Sequence, residues 1–112
     1  MQVSSIYSNT ARLYENLRDE GIPTYADSIE VYYQKALKFN PENIEALAGL
    51  SFHYATTNDL EKRTKALDLA KKLVKVEENS RAYYVLAAAY YSLDDEKNEA
   101  ISRKKAEELE EH

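Results

Sequence analysis

The chain contains no cysteine in 112 residues. That excludes a disulfide framework, thiolate nucleophiles and sulfur-ligated metal sites. It has only two glycines and two prolines. So few turn formers disfavour a many-turned β-sandwich and are compatible with long uninterrupted helices. Histidine occurs twice, and His53 is the only internal copy. A lone imidazole with no second histidine or cysteine nearby is poor material for a metal site or a general base. Positive charge is also in short supply, with 15 Lys and Arg against 20 Asp and Glu for a net charge of −5. An acidic chain lacks the electrostatic footprint that phosphate backbones demand, so no nucleic-acid partner is expected. No apolar run approaches the roughly 18 residues of a membrane span, and the opening MQVSSIYSNTARLY has no basic region leading into an apolar stretch. Neither a membrane partner nor a signal peptide is expected, and a cytoplasmic setting is the expectation. There is no Gly-rich phosphate loop, Ser-His-Asp arrangement or EF-hand spacing, so neither catalysis nor a cofactor is expected.

What remains is ordinary globular material, 44% apolar and 31% charged, on a length suited to one domain. Within it a pattern repeats. Leu47, Leu50, Ser51, Tyr54, Asn58 and Asp59 recur 36 residues later as Tyr83, Leu86, Ala87, Tyr90, Asp94 and Asp95. A fainter copy, Thr10, Leu13, Tyr14, Leu17 and Gly21, precedes them by 37. Such periods signal stacked supersecondary units, each burying a face against its neighbours.

Helical periodicity predicts six segments, about 4–19, 25–39, 43–57, 60–76, 80–93 and 96–110. The first is expected to bury Ile6, Thr10, Leu13, Tyr14 and Leu17, and to stop at Gly21 with Pro23 beyond. Thr24 and Asp27 have capping-box spacing for the second, which lines up Ile29, Tyr33, Ala36 and Leu37 and is ended by Asn40-Pro41. The third presents Leu47, Leu50, Ser51 and Tyr54, and the fourth Ala66, Ala70, Leu73 and Val74. The fifth presents Tyr83, Leu86, Ala87 and Tyr90. The sixth, capped by Asp94 and Asp95, offers only Ile101 and Leu109, with Ala100 and Ala106 as small contacts. A stack of hairpins needs a terminal unit with a polar outer face, and this helix suits that place. Short connections make neighbouring helices antiparallel.

At these residues the chain resembles the tetratricopeptide repeat. The run Tyr32 to Asn43 looks like the end of a repeat's second helix and its proline turn. Ile44 to Tyr54, and again Ala82 to Tyr91, look like the helix that follows. The resemblance implies an all-α fold of three stacked antiparallel hairpins, a right-handed α-solenoid of six helices, with repeats at about 4–40, 41–77 and 78–111. The chain departs from the family in its period, which in the family is about 34 residues, and in the second turn, where Glu77 stands in place of proline.

In that family the first helices of successive repeats line a concave groove that holds an extended peptide or a partner helix. By position the groove here would carry Arg12 and Glu15, then Glu45, Ala48, Gly49 and Phe52, then Arg81, Tyr84, Val85, Ala88 and Tyr91. Phe52, Tyr84 and Tyr91 lie off the expected core stripes, and aromatic side chains beside arginine are what binding hot spots are made of. The alternative is that they pack against a neighbouring helix. One subtype of the family clamps a C-terminal carboxylate with Lys, Asn and Arg. Here Arg81 replaces the Lys, Gly49 the Asn and Val85 the Arg, so that clamp is not expected. The functional expectation is a non-catalytic interaction module for another protein or a peptide. Two alternatives stay open: self-association as a homo-oligomer, and a regulatory or assembly segment of a larger protein.

Overall fold

Short polar side chains set the helix boundaries. In the computed structural model, which describes residues 3–21 and 26–110, six α-helices form: α1 (Val3–Asp19), α2 (Ala26–Phe39), α3 (Ile44–Ala55), α4 (Leu60–Val76), α5 (Ser80–Ser92) and α6 (Glu96–Glu110). No strand occurs among the described residues. Asn43, Asp59 and Asn79 cap α3, α4 and α5, their side chains accepting from the amides of Ala46, Glu61 and Ala82 at 3.0, 2.9 and 2.9 Å. Each satisfies a donor that the first helical turn leaves without a partner. Gly21 follows α1 with φ +96°, a left-handed conformation suited to glycine. The expected capping box at Thr24, and Pro23 beside it, lie outside the described residues.

Asp94 and Asp95 divide the work expected of them jointly. Asp94 takes the left-handed conformation, φ 59°, and ends α5. Its amide donates to the Tyr91 carbonyl and that of Asp95 to the Tyr90 carbonyl, both at 3.0 Å. This is a Schellman closure with aspartate where glycine is usual. Asp95 alone caps α6, accepting from the Asn98 amide at 3.1 Å.

The helices make their most extensive contacts as α1–α2, α3–α4 and α5–α6. Consecutive pairs join through α2–α3 and α4–α5. Among the odd-numbered helices α1 packs on α3 and α3 on α5, whereas the backbones of α2, α4 and α6 do not approach one another, and α2 meets α4 through the Lys62–Glu30 ion pair. The odd helices therefore form one layer. Within pairs the chain runs antiparallel. Ser4 in the first turn of α1 donates to the Ala36 carbonyl in the last turn of α2, and Tyr84 near the start of α5 meets Glu110 at the end of α6.

Close approach of these helices rests on small residues. Ala36, Ala46, Ala66, Ala70 and Ala89 are fully enclosed, with Ile29, Tyr33, Leu50 and Tyr54 filling the space between them. Ser51 sits against α4 and donates to the Ala66 carbonyl at 2.7 Å, so its buried hydroxyl keeps a partner. Leu47, Ala48, Leu73 and Ala82 form a second cluster between α3, α4 and α5.

Two expected faces are corrected. In α1 the buried stripe is Ser4, Ser8 and Ala11, with Tyr7 and Tyr14 half-buried beside it. Ile6 and Leu13 are 53% and 64% exposed. The large residues misled because α1 lies too close to α2 to admit them, and because Asn43 reaches back to bond Ser4 at 2.7 Å. In α6 the buried residues are Glu99, Ser102 and Ala106, while Ala100 and Ile101 face out, Ile101 at 57%. The charge of Glu99 is tolerated there because Arg103, one turn on, pairs with it.

Candidate functional site

The layer of odd helices carries a furrow whose floor begins with Tyr33. This residue belongs to α2, yet its ring passes over α3 at Gly49. A methyl group at Gly49 would stand only 2.2 Å from the ring carbon Cζ. Glycine there is what lets the phenol through. Its hydroxyl emerges beside α1 and donates to Glu15 Oε1 at 2.5 Å.

Around it lies a cavity of about 250 Å³, lined by Arg12 and Glu15 of α1, Tyr33, then Glu45, Ala48, Gly49 and Phe52 of α3, and Arg81 and Val85 of α5. A second, more apolar hollow of about 530 Å³ shares Phe52, Arg81 and Val85 as its wall and adds Ser80, Tyr84, Ala88 and Glu110. A third, of about 340 Å³, shares Tyr84 and Ala88 and continues to Ala87, Tyr91, Glu99 and Arg103. The three hollows adjoin through these shared walls and together run from α1 across α3 and α5 to α6.

The structure thus brings Arg12, Glu15, Phe52 and Arg81 together in the first hollow, Phe52, Arg81 and Tyr84 in the second, and Tyr84 and Tyr91 in the third. The aromatics are open to solvent: Phe52 is 50% exposed, Tyr84 37% and Tyr91 72%. Phe52 and Tyr91 keep half or more of their surface in solvent, whereas Tyr84 also leans on α6, its hydroxyl donating to Glu110 at 2.9 Å.

The two arginines are less free than their positions suggested. Arg81 makes a two-pronged bond to Glu45, with Nη1–Oε2 at 2.9 Å and Nη2–Oε1 at 3.2 Å, and Arg12 approaches the same carboxylate at 3.9 Å. The Arg81 bond holds the Glu45 carboxyl below its ordinary range. Glu15 differs. Among the described residues no cation bonds it; Tyr33 is its one hydrogen-bond donor. Burial pushes its carboxyl above the usual value, against the opposing effects of the Tyr33 bond and of Arg18 and Arg12 at longer range. Tyr33 in turn is pushed far up by burial and by the carboxylate beside it.

Sequence reasoning placed Tyr33 in the core and missed its hydroxyl in the groove floor. A signal for it existed: Gly49 is one of only two glycines and falls inside a helix, where glycine marks a close approach. Glu110 and Arg103 were missed because α6 is uniformly charged and no pattern separates the residues that reach the groove from those that do not.

A second polar cluster joins α2 to the last turn of α3 and the first turn of α4. Glu30 accepts from the Tyr54 hydroxyl at 3.1 Å and from Lys62 at 3.0 Å, and Gln34 donates to the Tyr54 oxygen at 2.8 Å. Its groups satisfy one another, which marks a structural tie. His53 is buried next to it, with Nδ1 3.4 Å from the Arg18 guanidinium. Burial first, then Arg18, hold its imidazole below the ordinary value.

A scan against protein-family models finds no match, and a comparison with curated proteins finds none either.

Proposed function

We propose that this chain is a non-catalytic interaction module built of three tetratricopeptide-like hairpins, and that it binds a peptide or a partner helix along the groove formed by α1, α3 and α5. The observation that carries the proposal is the row of exposed aromatics, Phe52, Tyr84 and Tyr91, set along adjoining hollows with Arg81 among their walls. Pre-shaped hollows with aromatic walls give a ligand apolar contact at little entropic cost. The alternation of paired helices, with odd helices sharing a layer, supports the tetratricopeptide-like reading.

The test is capture of partners by wild type beside the double variant Phe52→Ala/Tyr84→Ala, with circular dichroism confirming that both are folded. A partner retained by wild type and lost by the variant supports the groove. Equal retention removes it.

A second reading, self-association, is favoured by a different observation. α1 turns Ile6 and Leu13 outward, on a helix whose other side is already packed. A second copy could cover them. Light scattering over a range of concentrations distinguishes this reading, since a strict monomer contradicts it.

A further inference from the structure

The charges lining the first two hollows are unequal. Arg12 and Arg81 face Glu15, Glu45 and Glu110. Both arginines are directed at Glu45, and Arg81 holds it by two short bonds. An anionic ligand seated on Arg81 would have to break that pair and leave Glu45 with Arg12 alone, at 3.9 Å, which costs more than an anion gains from a guanidinium already bonded. Glu15 presents the opposite case. It stands in the wall of the 250 Å³ hollow, half-buried, with a phenol hydroxyl as its single short contact and no cation bonded to it among the described residues. The hollow opens directly onto the apolar stretch at Phe52 and Val85.

Resting on the groove reading above, we infer that the partner is a cationic amphipathic segment: one lysine or arginine side chain enters the first hollow and pairs with the Glu15 carboxylate, while neighbouring apolar side chains lie on Phe52, Val85 and Tyr84. Charge complementarity fixes the direction of the segment, its basic residue toward α1 and its apolar residues toward α5. The bond would be charge-assisted and shielded from water, the setting in which such bonds are strongest. The raised carboxyl of Glu15 agrees with this, because burial outweighs the longer-range pull of Arg18 and Arg12, and a directly bonded cation relieves it.

The test is selection of a phage-displayed random peptide library on wild type and on Glu15→Gln. Glutamine keeps an oxygen for the Tyr33 hydroxyl and removes only the charge, so the floor of the groove is preserved. The expected result is enrichment of Lys or Arg at one position of the wild-type peptides, flanked by aromatic or aliphatic residues. A synthetic copy of such a peptide should bind Glu15→Gln at least about tenfold more weakly. Replacing the peptide's basic residue with glutamine should weaken wild-type binding equally and make no difference to the variant. Peptides that bind through Phe52 and Tyr84 but carry no basic position, or carry an acidic one, would overturn this inference and leave the groove standing. Peptides whose affinity ignores Phe52→Ala/Tyr84→Ala, or a failure to select any, would overturn both.

Discussion

Replacing Gly49 with alanine sets two well-understood effects against each other. In a helix interior alanine is favoured over glycine by about 1 kcal/mol, so propensity alone makes the variant more stable. The structure opposes this. The new methyl would lie 2.2, 2.4 and 2.7 Å from Cζ, the hydroxyl oxygen and Cε1 of Tyr33. Those atoms cannot step aside cheaply. Tyr33 is 1% exposed, and its hydroxyl is tied to Glu15. Relief requires either that the ring swing out, giving up its burial and that bond, or that α2 and α3 separate. Overpacking of this kind costs about 1–3 kcal/mol, and a clamped aromatic ring belongs at the upper end. After the propensity gain is subtracted, a net loss of about 1–2 kcal/mol is expected. Urea unfolding followed by far-ultraviolet circular dichroism measures it. Repeating the substitution in a Tyr33→Leu background isolates the cause. With the outer ring atoms gone, Gly49→Ala should become neutral or stabilising, a coupling of about 2 kcal/mol between the two sites. Gly49→Ala as stable as wild type would refute the reasoning, and so would an equal loss in both backgrounds.

Three further outcomes follow from the caps and from His53. Asn43→Ala should cost about 2 kcal/mol, because it removes a cap and also the buried bond to Ser4 that ties α3 to α1, whereas Asn79→Ala, which loses a cap alone, should cost about 1 kcal/mol; equal losses in urea titrations would contradict the tie. Asp94→Gly should raise stability by roughly 0.5–1 kcal/mol, since glycine adopts the left-handed conformation at φ 59° without strain; a loss would mean that the Asp94 side chain has a structural role. His53 is held below its ordinary value of 6.5, so the unfolded chain takes up the proton first, and its contribution is complete above pH 6.5 and is lost as the pH falls through the lower folded value. Glu15, raised above 4.5, slopes the other way, its contribution declining as pH rises from 4.5 through its folded value, but it is common to both proteins when wild type is compared with His53→Gln. The stability of wild type relative to that variant should therefore fall below pH 6.5, and a constant difference across the range would contradict the account.

The helices were legible in the sequence because their ends are written in residues that act locally. Gly21, Asn40-Pro41, Asn58-Asp59 and Asp94-Asp95 punctuate the chain through backbone conformation and capping, and neither depends on the rest of the fold. The faces of α2, α3 and α4 were legible because large apolar residues there do point inward. The faces of α1 and α6 were not, for the opposite reason. Their buried positions are Ser4, Ser8, Ala11, Glu99, Ser102 and Ala106, and small or paired polar residues leave no periodic hydrophobic trace. Arg12, Glu15, Phe52, Arg81, Tyr84 and Tyr91, the positions that the resemblance to the repeat family singled out, line the hollows on α1, α3 and α5. Their electrostatics were not legible, because the sharing of Glu45 by two arginines, and the burial of Glu15 against the Tyr33 hydroxyl, arise only when helices distant in sequence meet.

The most direct measurement of the central claim is site-specific photo-crosslinking of the protein bound to its captured partner or to a selected peptide. A photoreactive phenylalanine derivative would replace Tyr84 in the groove and, in a separate protein, Asp68, which is exposed on α4. Crosslinking from position 84, absent from position 68, is the predicted result. Crosslinking from 68 and none from 84 would place the partner on the other layer of helices and contradict the account.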